Sequence, residues 1–528
     1  VVTGVQTCAL PISKDNLGTI PGLIAGTSLS IDYVLTVAVS TCAGTEAITS
    51  AFPSLYPHKV IITIGLIVLM TIGNLRGVKE SAKIFGLPTY VFIISILSMI
   101  VIGIVRVKLF GYVPESSMSI PHATGNITIF LFLRAFASGC TALTGIEAVS
   151  NGIPNFNEPS QHHAKMVLEI MGVLVLLIFG GLSFLTTMYH PVPNNSVTVI
   201  AQISQEIFGA SSFMYYFFQA ITAIILVLAA NTAFSGFPLL LALIAKDGYA
   251  PRQFAKRGNR LGFSNGIVFL AIGACLLVWV FKGETQLLLP LYAVGVFISF
   301  TLSQSGMLTR WVRLKSSGWR HKAFINGLGA MFTFITVIVI GATKFVHGAW
   351  VVFILIPFFV SLMLRVKKHY SLVAKQLKLD LCEKPKEINL AEQKKYVIVP
   401  IDTLNRSFLK ALNYARTISD NIIVFHVSVD DEATEKLMEK WEDYNVGIPL
   451  VVKKSPYRNL IHPLLKFIES EEYAAGHNDT VTVVIAQFVI SQWWGNILHN
   501  QTSLFIKSVL MRRRNIAIVT IPYIISKR

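Results

Sequence analysis

Closely spaced cysteine pairs are missing from this sequence. Its five cysteines, Cys8, Cys42, Cys140, Cys275 and Cys382, stand singly with no C-x-x-C spacing, which argues against a disulfide framework and a zinc site. The phosphate-cradling patterns G-x-x-x-x-G-K-S/T and G-x-G-x-x-G are absent as well, so nothing supports an ATP-driven pump, a dinucleotide-dependent enzyme or a bound cofactor. Charge is sparse: 14% of the 528 residues are charged and 53% are hydrophobic, and a mean hydropathy of +0.61 lies outside the range of soluble globular chains. Acidic residues are the scarcest, with 28 Asp and Glu against 45 Lys and Arg, for a net charge of +17. In a soluble protein that excess would suggest nucleic acid. In a membrane protein lysines and arginines collect in cytoplasmic loops, and a nucleic-acid partner is not implied.

What the sequence has in plenty is long apolar runs. About ten recur up to Val366, each near the roughly 20 residues that cross a bilayer core. Their approximate spans are 22–50, 59–75, 86–107, 127–152, 166–189, 213–245, 263–281, 285–308, 325–343 and 348–366. The first, fourth and sixth exceed a simple crossing, which predicts tilt or a break. Basic residues alternate from loop to loop. One set of loops carries Arg76, Lys79, Lys83 and Lys165, the cluster between Lys246 and Arg260, and the cluster between Arg310 and Lys322. The other carries Lys59, Arg106, Lys108, Lys282 and Lys344, and the long loop from His190 to Ser212 carries none. The positive-inside rule places the first set, and the segment after Val366, in the cytoplasm.

The first residues, VVTGVQTCALPI, resemble the translation of a short-read sequencing adapter, so residues 1–13 are set aside as an assembly scar. Residues 14–366 then form the transmembrane domain and 367–394 a linker. From residue 395 to 528 the pattern changes. The runs 396–401, 422–429, 449–452, 481–488 and 516–523 read as five strands separated by amphipathic helical stretches, a parallel α/β domain.

Charge inside a bilayer costs about 2.5 to 3.5 kcal/mol on insertion scales, which marks an acidic residue within a span as functional. Asp32 is one, with Thr36 and Ser40 following at helical spacing so that a carboxylate and two hydroxyls share a stripe able to coordinate a cation. The same hydroxyls can instead bond back to their own helix. Glu147 is the other, in the glycine-interrupted stretch ASGCTALTGIEAVSNGIP, with Thr144 three residues before it. Such a span reads as a discontinuous helix whose freed carbonyls bind an ion near the midplane, or as a small-residue packing face. Tyr292, two residues after Pro290, can turn a hydroxyl inward or serve as an ordinary core aromatic. Glu46 and Glu169 lie near span ends, where headgroups make a carboxylate cheap.

The stretches IDYVLTVAVSTCAGTEAITSAFP, SGCTALTGIEAVSNGIP, LVLAANTAFSGFP, RGNRLGFSNGI, LYAVGVFISFTLSQSGM and ILHNQTS resemble the KimA-type potassium transporters of the amino acid-polyamine-organocation (APC) superfamily. The resemblance implies an α-helical polytopic membrane protein with a LeuT-like inverted repeat of twelve spans, two of which precede this chain, and a C-terminal α/β cytoplasmic domain. It also implies potassium import by proton symport across the bacterial plasma membrane, a homodimer held partly through the cytoplasmic tails, and inhibition by cyclic di-AMP. On it, the potassium ligands and gate fall on Asp32, Thr36, Ser40, Thr144, Glu147 and Tyr292. The rivals are an amino-acid permease of the same superfamily and a membrane-anchored sensor. Carboxylates within two spans argue for a cation over a substrate carboxylate, and a passive anchor has no need of them.

Overall fold

The computed structural model describes residues 9–76, 82–114, 128–145, 149, 153, 156–194, 196–255, 263–345, 348–377, 395–455, 461–469, 480–490, 501–513 and 516–525. The chain divides into two units, Val1–Lys378 and Leu379–Arg528. The first is helical: α1 (Ala9–Leu17), α2 (Thr19–Ala51), α3 (Lys59–Leu75), α4 (Ala82–Lys108), α5 (Ile129–Gly139), α6 (Ser160–Tyr189), α7 (Val199–Phe208), α8 (Phe213–Lys246), α9 (Ser264–Val280), α10 (Thr285–Leu314), α11 (Trp319–Lys344) and α12 (Trp350–Leu377). Among the described residues, 8 helices are long and apolar enough to cross a membrane, and two shorter apolar helices lie over Ile129–Ala142 and Ser264–Val280. Each of the expected spans overlaps one of these helices, the fourth only over Ile129–Ala142.

The long helices differ in what they face. In α2, 72% of the most apolar window is buried, so this helix is the post about which the bundle is built, flanked by α1, α3, α8, α9, α10 and α12. In α6 none of that window is buried, and Ile170, Val173 and Leu176 stand exposed. A bilayer covers such a face. Close approach to α2 relies on glycine: a Cβ on Gly236 of α8 would meet the Tyr33 ring oxygen at 2.7 Å, and one on Gly22 would meet the Lys14 backbone at 2.8 Å.

Two helices were not expected. The segment expected as a loop between His190 and Ser212 contains α7, which the Thr198 hydroxyl caps by accepting from the Ala201 N–H at 3.2 Å and which stops at Gly209, whose φ is +90°. Its Ala201, Ile203, Ser204 and Ile207 are buried. Ten residues of mixed character are too few to register as a span, yet enough to cover the end of a bundle. The other is α1, which includes part of the stretch set aside as a scar. Leu10 and Ile12 are buried, and Lys14 pairs with Asp247 at 2.5 Å.

The second unit is a doubly wound α/β domain. Its strands are β1 (Lys395–Ile401), β2 (Ile422–Ser428), β3 (Leu450–Lys454), β4 (Thr480–Ile490) and β5 (Ile516–Ile525), and its helices are α13 (Arg406–Ala415), α14 (Asp431–Asp443), α15 (Ile461–Ile468) and α16 (Gln501–Leu510). The sheet order is β3-β2-β1-β4-β5 and every pairing is parallel. Alternate residues of β1 explain why the sheet is buried on both faces. Val397 and Val399 pack with Phe408, Leu412, Leu437 and Trp441 of α13 and α14, while Ile398 packs with Leu464, Phe467 and Leu510 of α15 and α16. The near-continuous apolar strands read from the sequence are what such a sheet requires.

Candidate functional site

The candidate site lies on the seam between α2 and α10. Asp32, at the middle of α2, is fully buried. Opposite it α10 presents Gly295, where a Cβ would sit 3.5 Å from the Ser28 carbonyl oxygen and 4.0 Å from the Asp32 nitrogen. The α2 backbone at Ser28 and Asp32 thus lies within ordinary contact distance of the Gly295 position, so the two helices touch at Asp32. Less than one turn before Gly295 is Tyr292, buried at 7% exposure, so the structure brings the helices of two expected site residues together. Pro290 lies inside α10. It lacks an N–H, so the carbonyl of Gln286 loses its usual helical donor.

Thr36 adopts the bland alternative in part. Its hydroxyl donates to the Asp32 carbonyl at 2.9 Å. A hydroxyl that donates this way keeps its lone pairs, which remain able to accept or to coordinate. Ser40, another turn along, is partly buried. The sequence reading missed Ser28, one turn before Asp32 on the same stripe. It is wholly buried and its hydroxyl makes no hydrogen bond among the described residues. The helical spacing that drew attention to Thr36 extends equally backward to it.

The fourth expected span is broken, as its glycines predicted. Helix α5 stops at Gly139, a 3-10 turn covers Cys140–Leu143, Thr144 is extended with ψ 149°, and Gly145 has φ +95°. Only glycine takes that last conformation without strain. The Thr144 hydroxyl donates to the Thr141 carbonyl at 2.7 Å, and the 3-10 turn packs against α10, the helix of Tyr292. Glu147 lies outside the described residues. The polar residues of α8 left out of the expected site behave as packing groups: Asn231 accepts from the Asn74 side chain at 2.7 Å, and Thr232 and Ser235 donate to their own helix.

Glu46 corrects the headgroup reading. Although near a helix end, it is tucked in the bundle, and one carboxylate oxygen accepts the backbone N–H of Thr285 at 3.3 Å, at the start of α10. Glu169 does behave as a surface group, pairing with Lys165 at 3.6 Å on a side chain 66% exposed.

Residues 12–364 match the family described as amino acid permease, and residues 392–523 match that described as KimA potassium transporter C-terminal domain. The potassium transporter KimA of Bacillus subtilis (strain 168) is 44% identical over 515 residues, which covers 97% of this chain and 84% of the relative. Lower similarity extends to a D-serine/D-alanine/glycine transporter of Escherichia coli (strain K12), 25% identical over 55% of this chain and 61% of the relative. It extends also to the probable potassium transport system protein Kup 2 of Rhodopseudomonas palustris (strain BisB18), 23% identical over 62% of this chain and 51% of the relative. All three names are those of transporters rather than enzymes. The chain is thus a multi-pass membrane protein that belongs to the KimA potassium transporter family, with an amino acid permease domain followed by the KimA C-terminal domain.

Proposed function

We propose that the protein is a secondary transporter that imports potassium together with protons. The observation that carries the reading is Asp32, a carboxylate wholly buried in a membrane helix at the glycine contact between α2 and α10. The 44% identity to a potassium transporter points the same way. Asp32, Thr36 and Ser40 on α2, Thr144 and Glu147 in the broken span, and Tyr292 on α10 form the ion site in this proposal. Potassium exchanges its hydration shell for oxygens of these kinds. Two carboxylates around one monovalent ion leave surplus negative charge, and like charges in a low-dielectric site raise one pKa until a proton is held. Proton binding then depends on whether the ion is present, which is the coupling a symporter needs. An amino-acid substrate would bring its own carboxylate to Asp32, and repulsion disfavours it. The expected result with full-length protein in proteoliposomes is rubidium uptake driven by an imposed pH gradient, with no uptake of serine or alanine. Amino-acid uptake without rubidium uptake would replace this function by the permease alternative.

The α/β tail, in the same proposal, lies in the cytoplasm and serves dimerisation and inhibition by cyclic di-AMP. Its separate two-sided core supports a module with its own task. A reporter fused after Arg528 should be active only inside the cell. Removing the tail should leave ion preference intact and abolish the response to cyclic di-AMP, as read by rubidium uptake with and without the nucleotide. Altered ion preference would place the tail in the permeation path instead.

A further inference from the structure

The hairpin of α10 and α11 gathers hydrogen-bond donors and offers little to receive them. From Thr285 to Lys344 the two helices contain no Asp or Glu, yet Arg310, Arg313, Lys315, Arg320 and Lys322 crowd the ends that meet at the turn. The turn is tight, with Lys315 at φ +47° and Gly318 at φ +72°. Arg313 is engaged elsewhere, donating to the Asn16 side-chain oxygen of α1 at 3.2 Å. Lys315, Arg320 and Lys322 are exposed and make no ion pair among the described residues. The Lys322 ammonium lies 4.7 Å from the centre of the Trp311 ring, so a cation of α11 sits on an indole of α10. Among the described residues that ammonium, which carries three protons, has one acceptor, the Ser317 carbonyl, at 3.4 Å.

The Trp311 indole N–H is enclosed by protein and donates to nothing among the described residues. An indole nitrogen can only donate, and so can the ammonium beside it. A buried donor in such company is disfavoured until an acceptor arrives. With Lys315, Arg320 and Lys322 uncompensated on the same turn, the acceptor that fits is an anion. Its kind is set by the flanks: Val312 and Leu314 on one helix and Phe324 and Ile325 on the other are exposed, an apolar surface that a small soluble ion would leave bare. The alternation of basic loops puts the turn on the cytoplasmic side, where basic clusters meet anionic lipid.

We propose that the α10/α11 hairpin binds an anionic phospholipid. One phosphate oxygen accepts the Trp311 indole N–H, Arg320 and Lys322 hold the headgroup charge, and the acyl chains lie along Phe324 and Ile325. Lys322 has a flexible stem, so its ammonium can leave the ring face to share the phosphate, and the planar fork of Arg320 suits the same group. Such a site takes nothing from the transport reading and stands whatever the cargo is.

The test is a titration of full-length protein in neutral detergent with phosphatidylglycerol, reading melting temperature against lipid mole fraction. The wild-type protein should show a saturable rise that neither phosphatidylcholine nor inorganic phosphate reproduces. Arg320→Gln combined with Lys322→Gln should raise the half-saturating mole fraction by about tenfold. Trp311→Phe keeps a ring and removes the N–H, and should raise it by about fivefold. Lys165→Gln combined with Lys368→Gln removes two exposed lysine charges elsewhere and should leave the wild-type value. An equal loss in this control and in the Arg320/Lys322 pair would reduce the effect to net charge and overturn the site. A wild-type value in the Arg320/Lys322 pair, or equal protection by phosphatidylcholine, would overturn it too. A wild-type value in folded Trp311→Phe would overturn the indole contact, and equal protection by inorganic phosphate would overturn the lipid as occupant. If Trp311→Phe fails to fold, the Arg320/Lys322 pair against its control decides.

Discussion

Full-length protein carrying Glu147→Gln or Asp32→Asn is expected to lose rubidium and potassium uptake while still folding and inserting. Each amide keeps the size and hydrogen-bonding outline of the acid it replaces and removes only the charge. A charge-assisted contact to a bound ion is worth about 3 kcal/mol, on the order of a hundredfold in affinity, and loss of a coupling proton site stops turnover altogether. Were these carboxylates structural, the neutral amides would relieve the penalty of burying charge. The proteins would then melt at the same or a higher temperature with uptake intact. Uptake in proteoliposomes beside a potassium-dependent melting curve distinguishes the cases. Full transport by both variants would remove the centre of the proposed ion site. The Asp32 substitution is the sharper of the two, because its burial at the Gly295 contact is already part of the described structure.

The second large effect belongs to the tail. Phe425 is 1% exposed and stacks on Phe467 with ring centres 4.7 Å apart, between the sheet and α15. Phe425→Ala should destabilise the α/β unit by about 3 to 5 kcal/mol, a large share of the about 5 to 15 kcal/mol that holds a domain of this size together. Tyr444→Ala, at a site 65% exposed, should change stability by less than about 0.5 kcal/mol. Urea denaturation of residues 379–528, followed by circular dichroism, measures both. Equal effects of the two substitutions would mean that the core is not where the structure puts it.

The spans were legible in the sequence because the bilayer sets one length for every crossing and tolerates few charges within it, so apolar runs announce their own boundaries. The tail strands were legible for a related reason: burial on both faces demands continuous apolar residues, and Val397, Ile398 and Val399 supply them to opposite sides. The break after Gly139 was also readable, since few residues besides glycine sit where Gly145 does. Helix α7 was not, because ten residues without a period long enough to register look like any polar connection. Glu46 was misread for a different reason. Whether a carboxylate near a helix end meets headgroups or protein depends on a partner 239 positions away in sequence, Thr285, and no local pattern carries that. Ser28 could have been found by following the stripe of Asp32 backward as well as forward.

The order of strands in the tail has a consequence for synthesis. β1 pairs with β2 on one side and with β4 on the other, and β4 is made only after β3 and α15 have left the ribosome. Until then β1, the strand at the centre of the finished sheet, presents an open row of donors and acceptors flanked by apolar side chains. A nascent or prematurely terminated chain that ends between β3 and β4 therefore carries a sticky edge. Frameshifts late in the gene should be more harmful to the cell than deletion of the whole tail.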